Sequence, residues 1–207
     1  MSAILLPTDT ETLAPITAAL DQATPAARVA WARSLNGAQQ ARLFRLAEGQ
    51  RCTATDLTDP TGGPVRAPGR NGLAAFHLFA KVFAAHAGVV VGYNDNREQP
   101  LAGLVGRVTG PGHFTAYDAP DGSGEVYIDY RRVPTTTHPD FPPLMDNESG
   151  LRALVFGDMV DVVRRVSQHV FIGDAFKGRF PRDTPAPLLC RIGRLLGTAP
   201  FVICRPE

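Results

Sequence analysis

The spacing of apolar residues changes character along the chain. Before residue 50 they recur every three or four positions, as on one face of a helix, and beyond residue 88 they mostly alternate. In "DTETLAPITAALDQ" the side chains Leu13, Ile16 and Leu20 share a face, with Asp9 or Thr10 placed to cap. "TPAARVAWARSL" puts Thr24 at a cap position and Pro25 at the first helical position, where a missing N–H costs nothing. "NGAQQARLFRLAEGQ" offers Leu43, Phe44, Leu46 and Ala47 before Gly49 stops the pattern. Three such short helices are unstable alone and must pack on something.

From Cys52 to Asn71, "CTATDLTDPTGGPVRAPGRN" carries three Pro and three Gly in twenty residues, which reads as a linker over 51–71. The next run, "GLAAFHLFAKVFAAHAG", sets Leu73, Phe76, Ala80, Phe83 and Ala87 on one stripe and predicts a helix. Strands are then expected at 88–94, 100–108, 113–118, 124–131, 169–176, 186–191 and 200–205, broken by Gly, Pro and Asp. Val126, Ile128 and Tyr130 share one face, with Glu125, Tyr127 and Asp129 on the other. The Asp-Gly of "APDGSG" marks a hairpin turn before them. Residues 151–166 fit an amphipathic helix with an Asp161–Arg165 pair, but their valines and the Gly157-Asp158 break favour two strands. The expectation is an α+β chain: a helical element at 1–50, the linker at 51–71, and an antiparallel β-barrel of about 8–10 strands over 72–207.

Composition narrows the function classes. A formal net charge of +1 provides no field to gather nucleic acid, and no nucleic-acid partner is expected. Of 21 basic residues only Lys81 and Lys177 are lysine. "MSAILLPTDTETLAP" lacks the basic start and long apolar stretch of a secretory signal, and no run is long enough for a spanning helix. Cys52, Cys190 and Cys204 form no CxxC pair, so neither a disulfide framework nor a zinc site is indicated, and a cytoplasmic location is expected.

No phosphate-loop, dinucleotide, zinc-protease, nucleophile-elbow or calcium-loop motif is present, and no cofactor or metal is called for. His77, His86, His113, His138 and His169 have no ligand spacing, although His113 and His169 each begin a strand. Asp161, in an apolar run beside Arg164 and Arg165, either forms a structural ion pair with an arginine or presents charge to a cavity. All four tyrosines fall in the alternating part, where they are ordinary strand residues or the lining of a cavity. The Pro-rich stretch 134–150 is an irregular loop, either a lid or a crossover at a barrel end.

The string "GYN … TGPGHFTAYD … GEVYIDYRRVP … LVFGDMVDVVRRVSQHVFIGDAF", with Asp161, Arg164, Val166 and Gly173-Asp174, resembles bacterial proteins of uncharacterised function that have a lipocalin-like (calycin) barrel. The Gly-x-Trp of lipocalins is missing, and the one tryptophan, Trp31, lies in the helical part. The resemblance implies an up-and-down barrel whose interior holds a small, largely apolar molecule. Phe114, Val126, Ile128, Tyr130 and Phe171 would line it, with Asp161, Arg164, His169 or His113 supplying the polar group. Non-enzymatic ligand binding is therefore the leading expectation. The alternatives are a protein–protein or homodimer surface on Leu13, Ile16, Leu20, Trp31 and Phe44, and an enzyme using His113 or His169 with Asp161.

Overall fold

The computed structural model describes residues 4–72, 77–96, 110–178, 184–188, 190, 192 and 199–206. Three helices come first: α1 (Ala14–Gln22), α2 (Pro25–Ser34) and α3 (Gly37–Leu46). The Thr24 hydroxyl accepts the Ala27 N–H at the start of α2, behind Pro25. Asn36 and Gln39 form a reciprocal capping box on α3. Neither Asp9 nor Thr10 caps α1: its N-cap position is Leu13, and Pro7–Asp9 form a separate 3-10 turn.

Eight antiparallel strands follow in meander order and close on themselves: β1 (Val65–Asn71), β2 (Leu78–His86), β3 (Val89–Asp95), β4 (Gly112–Asp118), β5 (Val126–Asp129), β6 (Met159–Arg165), β7 (Val170–Lys177) and β8 (Ala199–Cys204). The closing seam, β1 against β8, pairs only Gly69–Ile203, Arg70–Val202 and Asn71–Phe201. It stops at Pro68, whose nitrogen has no hydrogen to give.

Period two decides what faces in. Phe79, Phe83, Phe114, Ala116, Val126, Ile128, Tyr130, Val163, Phe171, Phe201 and Ile203 form one buried cluster inside the barrel. The opposite faces, Tyr127, Val160, Val162, Ile172, Phe176, Val202 and Cys204, form a second cluster with the helices. Full burial of a leucine or phenylalanine there is worth ~1.5–3 kcal/mol, so this layer holds the helices in place. Leu13, Ile16, Leu20, Trp31 and Phe44 belong to it. They are covered by the chain's own barrel and present no free docking face.

Aromatic crowding inside the barrel sets two glycines. A Cβ at Gly92 would lie 2.3 Å from the Phe114 ring, and one at Gly173 would lie 2.2 Å from the Phe201 ring. Both wall positions are left bare so that a ring can lie across them.

Several expectations need correction. The run read as a helix after residue 72 carries β2: its outer face is covered by Val91 and Phe141 against Val82 and Ala84, so burial on both faces erases the alternation. The stretch read as a linker holds a 3-10 turn, Ala54–Leu57, and ends in β1. Residues 186–188 and 190 are helical rather than extended, and Ala186 and Cys190, four apart, both enter the outer cluster. The ambiguous run divides differently from either reading, into a short helix α4 (Gly150–Val155) and then β6. The break falls where Asp158 takes a positive φ of 53° and the Lys177 ammonium donates to the carbonyls of Ala153 and Leu154. The strand expected at 100–108 lies outside the described residues.

The loop after β5 is fastened to the wall. Phe141 meets the Tyr93 ring at 5.0 Å, and the Asn147 amide donates to the carbonyls of His113 and Tyr130. Among the described residues no helix is long and apolar enough to cross a membrane.

Candidate functional site

The barrel's two ends differ. At one end the turns are short, joining His86 to Val89, Asp118 to Val126 and Arg165 to Val170, and Cys52, Ala54 and Leu57 close the inner cluster there. The connections after β1, β3, β5 and β7 all leave from the other end, and those after β3, β5 and β7 are the long ones. The polar groups of the interior sit towards this second end.

Lys81 lies on β2 between the inward Phe79 and Phe83, so period two points it into the barrel. Asp161 lies on β6 between Met159 and Val163 and points in from the far side. The Lys81 ammonium donates to Asp161 Oδ2 at 2.8 Å, to Asn94 Oδ1 at 3.1 Å and to the Tyr130 hydroxyl. That hydroxyl in turn donates to Asn94 Oδ1 at 2.9 Å. Three donors thus meet three acceptors. The centroids of the Phe201, Tyr130, Phe114 and Phe79 rings stand 4.8, 5.0, 5.4 and 5.6 Å from Nζ. Phe156 stacks on Tyr130 at 5.6 Å and closes over Gly112.

Electrostatics follow from burial. Lys81 and Asp161 are 2 % and 1 % exposed. Desolvation lowers the Lys81 pKa, against the attraction of Asp161. Desolvation raises the Asp161 pKa, against the attraction of Lys81. Tyr130 is raised well above an ordinary phenol by burial and then by the Asp161 charge. Both partners of the ion pair are pushed towards their neutral forms. Asp161 Oδ1 is buried and, among the described residues, has no hydrogen-bond partner. An acceptor left in that state costs ~1–3 kcal/mol, more when charged, so it marks a place where a donor belongs.

The expected site residues are divided by the fold. Phe114, Tyr130 and Asp161 come together in the interior. Arg164 is on the outer face, its guanidinium on Glu125 at 2.7 Å and on the Phe44 carbonyl at 2.7 Å. Asp161 therefore pairs with a lysine, and with neither neighbouring arginine. His113 points outward from β4 and its Nε2 meets the Pro143 carbonyl at 3.1 Å. His169 lies in the turn between β6 and β7, its backbone N–H on Ser167 Oγ. Neither histidine is brought to Asp161.

No family model, curated protein or solved structure matches the chain.

Two clefts of about 330 and 340 Å³ lie outside the wall, one lined by Glu48, Glu125, Tyr127 and Arg164, the other by Arg51, Asp56 and Asp118. The residues that sequence reading missed are Lys81 and Asn94. Reading 72–87 as a helix hid the Phe79–Lys81–Phe83 alternation. The signal was a single lysine inside an apolar run of a chain whose basic residues, apart from Lys177, are otherwise arginine.

Among the described residues no group of three His, Cys, Asp or Glu is arranged to hold a metal.

Proposed function

We propose that the barrel binds a small molecule with a compact apolar body and one polar group, held at Lys81, Asp161, Tyr130 and Asn94. The observation that carries this reading is the buried Asp161 Oδ1, without a hydrogen-bond partner among the described residues, beside a lysine ringed by aromatic side chains. Eight strands in up-and-down order are compatible with a ligand-binding barrel of the calycin type. The inner half towards the short turns is filled by Phe83, Val126, Val163 and Phe171, which favours a compact ligand over a long chain. The three cysteines are unbonded, which suits a reducing, cytoplasmic setting.

The test is native mass spectrometry of the protein as purified, joined to thermal melts with benzyl alcohol, indole and benzaldehyde. A retained small molecule, or a rise in Tm in the wild type that Asp161→Asn abolishes, supports the reading. A clean mass with no shift across the three probes removes it.

A further inference from the structure

We propose that Lys81 is an imine-forming amine that condenses with the carbonyl carbon of a small aldehyde or ketone bound in the barrel. This rests on the reading of the interior as a ligand site and names the ligand's polar group.

Four observations converge. Lys81 is one of two lysines among 21 basic residues, and it stands where an amine differs from a guanidinium in kind: an amine forms an imine. Its Nζ is 2.8 Å from a carboxylate on the opposite wall, close enough to pass a proton directly. Phenyl and phenol rings surround it and exclude water, which otherwise hydrolyses an imine. Asp161 Oδ1 accepts no hydrogen bond among the described residues, and the hydroxyl of a carbinolamine on Nζ is a donor formed beside it.

The step balances without a co-reactant. The ammonium gives a proton to Asp161 Oδ2, and the freed nitrogen pair attacks the carbonyl carbon. Attack leaves a positive nitrogen and a negative oxygen. The Tyr130 hydroxyl gives its proton to that oxygen and regains one from Nζ, leaving a neutral carbinolamine whose O–H is directed at Asp161 Oδ1. Loss of that oxygen as water, carrying the proton held by Asp161, leaves Lys81 joined to carbon by a C=N bond. Burial supports the first transfer because the direction of both shifts, Lys81 down and Asp161 up, favours a neutral amine beside a neutral acid.

The small number of lysines makes the test simple to read. Benzaldehyde and sodium cyanoborohydride are added to the folded protein, and the benzyl adduct is located by peptide mapping. Labelling at Lys81 ahead of Lys177 and the amino terminus, lost in Lys81→Arg and kept in Lys177→Arg, is expected. Because Lys81→Arg could fail to fold, Lys177→Arg stands as the second variant, leaving Lys81 as the one lysine in the chain. An adduct confined to Lys177 or the amino terminus, or none, overturns the proposal. Benzyl alcohol, which forms no imine, separates the two readings: a Tm rise with it but no Lys81 adduct leaves the ligand site standing and removes the imine. No shift with either probe and no adduct removes both.

Discussion

Lys81 and Asp161 join opposite walls of the barrel. β2 and β6 have three strands between them in either direction round the sheet, yet the ammonium and carboxylate meet at 2.8 Å on the axis side. The pair is a strut across the interior, and its desolvation means that each charge depends on the other.

Removing one end of that strut leaves a buried charge alone. Lys81→Met or Asp161→Asn is expected to cost ~3–5 kcal/mol in chemical denaturation. The double variant Lys81→Met, Asp161→Asn should cost clearly less than the two single losses combined. Additive losses would show that the groups do not depend on one another.

Room for a ring at Gly173 is a second quantity to measure. Gly173→Ala places a methyl group against Phe201, and ~1–3 kcal/mol of destabilisation is expected. Adding Phe201→Leu should recover part of it. If Gly173→Ala melts at the wild-type temperature, the ring has space to move and the wall is looser than described.

Acid should weaken the fold through His113. Burial holds its pKa below the ordinary value, opposed by the Pro143 carbonyl. Below about pH 6.5 the unfolded chain takes up this proton and the folded one does not, so stability falls as pH drops from there towards the folded pKa. Urea midpoints in the wild type and in His113→Phe make the comparison. The variant should lose part of the slope, and an unchanged slope would assign it to other groups.

The alkaline limb should report Tyr117. Burial, with the Asp129 charge next, pushes its phenol up to about 12. Since the unfolded value is about 10, the folded state keeps this proton longer and stability is lost as pH rises between the two. Absorbance titration of the phenolates should lose a late step in Tyr117→Phe. A step lost near pH 10 would contradict the buried placement.

Thiol chemistry offers a check on both layers at once. Burial raises Cys52 and Cys204 to about 12, so neither supplies thiolate near neutral pH. An aromatic disulfide reagent should leave both unlabelled in the native protein and label both in denaturant. Fast native labelling at either position would mean that its layer opens readily.

Local chemistry made much of the fold legible. Thr24-Pro25 and the Asp-Gly turn are recognisable because neighbouring residues decide them, and the turn joins β4 to β5 where Gly122 and Gly124 take positive φ. Alternation likewise assigned Val126, Ile128 and Tyr130 to the interior. Asp161 stood out as a charge inside an apolar run, but its partner is 80 residues away and no local pattern encodes that distance. β2 was hidden because Val82 and Ala84 are covered as fully as Phe79 and Phe83. Arg164 was misplaced by its company: it follows Val163 in a strand where a one-residue step changes the face, and its charge lies outside beneath Phe44.

The narrow seam between β1 and β8 is bridged from outside. α2 and α3 lie across it, with Gln40 donating to the Arg70 carbonyl, Arg70 to the Arg33 carbonyl and Arg28 to the Pro206 carbonyl. Until β8 has been synthesised, β1 has an open edge and the helices lack half of what they clasp. The ring is completed late, by its most distant segments, and the helical layer works as the buckle that keeps it shut.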